Sequence, residues 1–281
     1  MPDAVPFVSA RDKGRIRDEY MPAPDSKAIA TSLMHFAFVS GQPSQEAADR
    51  AAVEACEKLE AASRTKSDAS CELYASGNVV VTRHSPPPMP AEPWVVRNRA
   101  VEQPFDAAQI PLLDTAMRER VGKGYPRGGT SKAFVMSAAR KWAFVTGQTS
   151  PDDAVRLGLE RCGHLASEGC MVVAIDGNFV IPIPTLAKAV GFYRPEMLAG
   201  VTPEVRDDVA RRLADAPNAW NAVAVGAGGQ VGVALGADSE LGALDGALAD
   251  CAKHDHDCRI AVMGPFLVEL AGQEQKRTAT P

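Results

Sequence analysis

Two thiols and two imidazoles fall within the eight residues Cys251-Ala-Lys-His254-Asp-His256-Asp-Cys258. Such a set suits zinc, and its soft sulfur suits copper(I). The spacing is not that of a zinc finger, and the corresponding segments Cys162 to Cys170 and Cys56 to Cys71 hold one histidine between them, His164. The other chemistry open to these cysteines is disulfide formation, which makes the segment a closed loop with exposed histidines. His35 and His84 are scattered. His35 falls at an expected hairpin tip and reads as an exposed turn histidine.

By residue type alone Ser44, Ser150 and Ser239 are candidate nucleophiles, but no Gly-x-Ser-x-Gly elbow surrounds them. Gly226-Ala-Gly228-Gly229 has the composition of a dinucleotide loop, yet it lies inside an expected hairpin and a further strand separates it from the next helix. Tyr20 with Lys27, and Tyr125 with Lys132, share one spacing and are candidates to line equivalent binding grooves. Trp94 stands in a proline-rich stretch, where an aromatic serves either as a clasp onto a neighbouring module or as a partner anchor. Asp152, Asp153 and Asp176 are carboxylates available to a hydrolytic site assembled across the fold.

The elements that must position these groups are set by an internal repeat. Phe36-Ala-Phe-Val-Ser-Gly-Gln-Pro-Ser44, Trp142-Ala-Phe-Val-Thr-Gly-Gln-Thr-Ser150 and Val231-Gly-Val-Ala-Leu-Gly-Ala-Asp-Ser239 align without a gap. Gly41, Gly147 and Gly236 each stand 15 residues before a cysteine, at Cys56, Cys162 and Cys251. Upstream, Pro6, Tyr20 and Ser26-Lys27-Ala28 are matched by Pro111, Tyr125 and Ser131-Lys132-Ala133 at a constant offset of 105, while the third copy keeps only Asn221-Ala222-Val223.

Short apolar runs at Ala133 to Ser137 and Trp142 to Thr146, split by polar residues, predict a β-hairpin. Serine, then Pro151 and nearby acids Glu46 and Asp152, form a helix-start signature, since each satisfies or complements free N–H groups. Small residues four apart follow: Ala48-Ala52-Cys56, Ala154-Gly158-Cys162 and Ala243-Ala247-Cys251. Such a stripe lets a helix lie close on a sheet. A strand at Met171 to Ile175 should turn at Asp176-Gly177 into a second one. The expectation is an α+β chain of three tandem ββαβ modules with leading helices, each closed by a helix-to-strand disulfide. Module one spans 1–82, a stiff Pro-rich linker 83–109, module two 110–182, a connecting helix and module three 183–270, and a polar tail 271–281. The modules pack either as a pseudo-symmetric trimer in one chain or as an elongated array.

Six cysteines allow fifteen connectivities, and the repeat selects Cys56 with Cys71, Cys162 with Cys170 and Cys251 with Cys258. Three such bridges imply an oxidising compartment, periplasmic or secreted, with the sequence a mature form lacking its signal peptide. The balance of 30 basic against 35 acidic residues gives no electrostatic drive towards nucleic acid, and no apolar run is long enough to span a bilayer. With 46% apolar residues the chain has ample core.

The third copy resembles a small secreted bacterial domain family of unknown function, through Trp220-Asn-Ala222-Val-Ala224, Gly232, Gly236, Ser239, Ala243, Ala247-Leu248, Cys251 and Cys258. The resemblance implies export and a disulfide but brings no activity. The leading expectation is a non-enzymatic envelope protein without a cofactor. It would bind another protein, a cell-wall component or a small molecule through grooves between modules. The alternatives are a periplasmic metal-handling protein using Cys251, His254, His256 and Cys258, and a hydrolase with an inter-module active site.

Overall fold

The computed structural model describes residues 2–63, 70–82 and 85–270. His84 and the tail 271–281 lie outside the described residues. After the capping residue Ser9 comes α1 (Ala10–Arg15), continued by one wider turn to Tyr20. Strands β1 (Ala28–Thr31) and β2 (Phe36–Val39) precede α2 (Gln45–Ala62), followed by β3 (Glu72–Ser76) and β4 (Val79–Val80). Next come β5 (Gln103–Pro104), α3 (Thr115–Gly124), β6 (Ala133–Met136), β7 (Trp142–Val145), α4 (Pro151–Ala166), β8 (Met171–Ile175) and β9 (Asn178–Phe179). The last third holds β10 (Ala187–Phe192), α5 (Pro203–Ala214), β11 (Trp220–Val225), β12 (Val231–Ala237), α6 (Glu240–Cys251), β13 (Arg259–Met263) and β14 (Phe266–Leu270). The protein is therefore α+β, with three antiparallel sheets among the described residues.

Three helices start by the same device. Ser44, Ser150 and Ser239 are extended, with φ of −153°, −150° and −147°. Each hydroxyl accepts from the amide three residues on, at 3.2 Å from Ala47, 3.1 Å from Asp153 and 3.1 Å from Gly242. A cap of this kind is worth about 1 kcal/mol because it satisfies a donor the helix cannot.

The chain divides into two compact units. The first comprises Met1–Pro90, Gly128–Ser137 and Lys141–Met171. Its sheet runs β2-β1-β3-β4, and alternation along β1 decides what covers each face. Ala28 and Ala30 pack with Ala48, Ala52 and Cys56 of α2, so small side chains meet on both sides. Ile29 points the other way, into a cluster with Val5, Val8, Ile16, Tyr20 and Tyr74, so the N-terminal segment roofs that face. The β6–β7 hairpin pairs Ala133 with Val145 through Met136 with Trp142, and α4 buries Ala154, Gly158 and Cys162. The proline segment of this unit is packed rather than free. At Gly163 a Cβ would collide with the Pro88 carbonyl, so only glycine admits the segment there.

The second unit comprises Ala91–Arg127, Ala138–Arg140 and Val172–Pro281. Its sheet runs β10-β14-β13-β11-β12, and β9 pairs with both β8 and β5. Helix α6 buries Ala243, Ala247 and Cys251. The approach is close: a Cβ on Gly232 would collide with the Cys251 amide nitrogen and the Ala247 carbonyl. Val223 and Val262 join a cluster with Val209 of α5, Leu198 and Val201, with Val205 and Leu213 packed against it.

Disulfides join Cys56 to Cys71, Cys162 to Cys170 and Cys251 to Cys258, and no cysteine among the described residues is free. No described helix is long and apolar enough to cross a membrane.

Candidate functional site

The residues that the sequence offered as groove-lining are placed differently by the structure. Tyr20 and Lys27 lie in the core of the first unit, with 0% and 2% exposure. The Tyr20 hydroxyl donates to the Gly77 carbonyl, and burial pushes its pKa up to about 12. The Lys27 ammonium donates to the carbonyls of Met21 and Ala23, both at 2.9 Å, and sits 5.1 Å from the Tyr20 ring centre. Both are packing residues, because backbone carbonyls and a neighbouring ring satisfy the ammonium without solvent. Tyr125 is likewise fully buried in the second unit, its ring 4.7 Å from Phe105. Burial raises its hydroxyl pKa. Lys132 is half-buried, with its ammonium 3.4 Å from the Gly128 carbonyl. Trp94 is half-buried in a stretch tied down through Val96, whose carbonyl accepts from the Asn218 amide at 2.8 Å.

The metal set is not assembled. Cys251 and Cys258 bond to each other, which leaves no thiolate there, and His254 and His256 are exposed. Asp255, which separates them, has a different partner. Its carboxylate accepts from the amides of His256 at 2.8 Å and of Gln230 and Gly228 at 3.0 Å each. Those amide bonds hold its pKa below the usual carboxylate range. The glycine-rich turn is thus an anion cradle filled by the protein's own carboxylate. A Cβ on Gly226 would collide with Asp255, which explains the glycine there.

His35 is not an exposed turn residue: its ring is half-buried, 4.0 Å from the Glu60 carboxylate. Glu60 also accepts from the Ser32 hydroxyl. Serine, histidine and glutamate therefore meet, but the carboxylate stands between the other two. Glu60 holds the serine hydroxyl and the histidine does not reach it, while the serine oxygen accepts the Met34 and His35 amides at 3.2 and 2.9 Å, so its lone pairs are engaged with backbone. Of the carboxylates proposed for hydrolysis, Asp152 is exposed and Asp176 lies in a turn with φ 53°. Asp153 is engaged structurally, as follows.

A buried charge network straps the N-terminal segment onto α4 within the first unit. Arg156 reaches Asp153 at 2.6 Å and Glu160 at 2.5 Å, and donates to the Val8 carbonyl at 2.7 Å. Glu160 accepts the Phe7 amide at 2.7 Å, and Asp153 accepts the Ala10 amide at 2.9 Å. The spacing places the three charged residues on one helical face. The salt bridge is nearly dry, since the Asp153 side chain is 3% exposed. It survives burial because backbone donors fill the remaining lone pairs.

Between this strap, Met34 with Phe36, and the turn at Gly147 to Thr149 lies a pocket of about 520 Å³. That volume falls in the range of small-molecule sites. Phe7, Met34, Phe36 and Leu157 supply apolar wall, and Ser9, Gln148 and Thr149 supply polar groups. Three arginines, Arg11, Arg15 and Arg161, face one carboxylate, Asp12. Asp12 is already engaged, accepting from the Ser9 hydroxyl at 2.7 Å, and Arg15 lies over the Phe38 ring at 5.3 Å. The pocket is therefore net cationic, with apolar wall contributed by Phe7, Met34 and Phe36.

No protein-family model, curated protein or solved structure matches this chain. The site must be read from its own chemistry. Sequence reasoning missed it because Phe7 and Arg161 meet only through the strap. The one available signal was Asp153-x-x-Arg156-x-x-x-Glu160, a charged face on a helix that otherwise buries small residues.

Proposed function

We propose that this is a non-enzymatic binding protein of an oxidising compartment, periplasmic or secreted, that takes a small molecule in the pocket of the first unit. The observation that carries the reading is the pocket itself: a concave, partly apolar site with converging hydroxyl, amide and guanidinium groups. The three disulfides support the compartment, since such bonds persist outside the reducing cytosol. The hydroxyls of Ser44, Ser150 and Ser239 cap helices, which favours binding over nucleophilic chemistry. We further read the chain as three tandem ββαβ modules. Support comes from the recurrence of strand, strand, capped helix and strand around the cysteine pairs, and from the gapless repeat in the sequence. The resemblance of the third copy to secreted bacterial domains agrees with that reading.

The test is native mass spectrometry on protein exported to a bacterial periplasm and purified without reductant, beside the variant Met34→Trp, which fills the pocket from its half-buried wall. A retained small molecule that the variant loses supports the reading. Identical spectra for the two proteins, together with identical thermal-shift responses to a metabolite library, would end it.

A further inference from the structure

The arginines of the pocket differ in how their charge is met. Arg15 has Asp12 at 3.5 Å and Glu19 at 3.3 Å. Arg156, beside the pocket, is held by two carboxylates. Arg161 has neither arrangement. Its Nε is buried and without a hydrogen-bond partner among the described residues. The adjacent carboxylate of Glu160 is committed to Arg156 and to the Phe7 amide. Leu157 and Arg161 are four residues apart on α4, so an apolar patch and a guanidinium share one face and line the same pocket.

A guanidinium that is half-buried, with its Nε enclosed and lacking an acceptor, is costly, because desolvation of that nitrogen is not offset by a partner. Burial pushes Arg161 down to about 10, with Arg156 acting in the same direction and Glu160 opposing. It is still cationic at neutral pH. What would offset the desolvation is an acceptor brought from outside, and a guanidinium matches oxyanions in a planar, two-pronged geometry.

We propose that Arg161 is the receptor for the oxyanion, carboxylate or phosphate monoester, of a ligand whose apolar body lies on Phe7, Met34 and Phe36. The assignment rests on the small-molecule reading of the pocket. Arg11, exposed at the rim, adds long-range attraction to the same charge. An apolar molecule of equal shape without the anion would leave the Arg161 nitrogen unsatisfied, so discrimination comes from the head group more than the tail.

The test is calorimetric titration of the intact disulfide-bonded protein with octanoate, octyl phosphate and octanamide, each below its aggregation limit. At least one of the two anions should bind at least tenfold more tightly than the amide. Preference between them tells which head group the site takes. Arg161→Met should remove that preference while leaving octanamide unchanged, and Arg161→Lys should restore part of it, since charge returns without the fork. If Arg161→Met does not fold, as judged by circular dichroism, the anion-to-amide ratio in the unaltered protein decides. Equal binding of octanamide and the anions, or unchanged anion affinity in Arg161→Met, overturns the oxyanion assignment and leaves the small-molecule reading intact. Failure of all three probes also overturns the assignment, and the small-molecule reading is then decided by the Met34→Trp comparison.

Discussion

The Asp153 carboxylate accepts the Ala10 amide at 2.9 Å across 143 residues of sequence. This bond, with its neighbours at Phe7 and Val8, fixes where the N-terminal segment lies and hence the shape of the pocket. Asp153→Ala leaves the Arg156 charge with one carboxylate fewer and the Ala10 amide unpaired. It should lower stability by about 3 to 5 kcal/mol, the usual cost of breaking a buried pair. Urea unfolding checks the magnitude. Limited proteolysis checks the place, with new cleavage expected within residues 2–20.

Glycines that look alike in sequence should respond very differently. Gly147 has φ 69° and open space where a Cβ would stand, so Gly147→Ala should cost about 1 kcal/mol of backbone strain. Gly232→Ala drives a methyl into the backbone of α6 and should cost more than about 3 kcal/mol, beyond ordinary overpacking because backbone cannot rotate aside. Melting curves of the two variants side by side test the contrast. Equal shifts would contradict the close helix-to-strand approach.

The acid limb of stability should depend on Asp255. Its folded pKa is depressed by the amides of His256, Gln230 and Gly228, so its contribution is present above the ordinary aspartate range and lost as pH falls through the folded value. Asp255→Ala should lower the melting temperature at neutral pH, with the gap to the unaltered protein narrowing as pH falls below the ordinary aspartate range. A gap of constant size would remove the carboxylate from the explanation.

The alkaline limb should depend on Tyr20. Its pKa is raised to about 12 by burial first and by Asp49 second, so the folded protein favours the neutral phenol. That contribution is complete below the unfolded value near 10 and is lost as pH rises towards about 12. Tyr20→Phe should cost about 1 kcal/mol at pH ~7 through the lost hydrogen bond to Gly77. It should also unfold with a flatter alkaline limb. Urea titrations at the two pH values measure both effects.

Local features were readable because local physics determines them. Ser44, Ser150 and Ser239 advertise helix starts through the donors they cap, and the stripes ending at Cys56, Cys162 and Cys251 mark the buried helix faces. The places of Tyr20 and Lys27 were not readable. A tyrosine near a lysine has the composition of a groove, and only the chain path shows that the Met21 and Ala23 carbonyls turn back onto the ammonium. The proline stretch read as a spacer because its docking surface, Gly163, carries no side chain to announce it. The pocket was hidden for the same class of reason: Phe7, Met34, Gln148 and Arg161 have no shared period, and tertiary hydrogen bonds alone gather them.

The carboxylate of Asp255 occupies the glycine-rich turn as a tethered occupant, on a loop whose ends are joined by the Cys251–Cys258 bond 7 residues apart. A short closed tether gives its anion an effective concentration of about millimolar or higher at those amides. Any outside anion must compete against that local excess. The turn is therefore self-ligated in the oxidised protein, and opening the bond would lengthen the tether that holds the Asp255 carboxylate to the Gly228 and Gln230 amides.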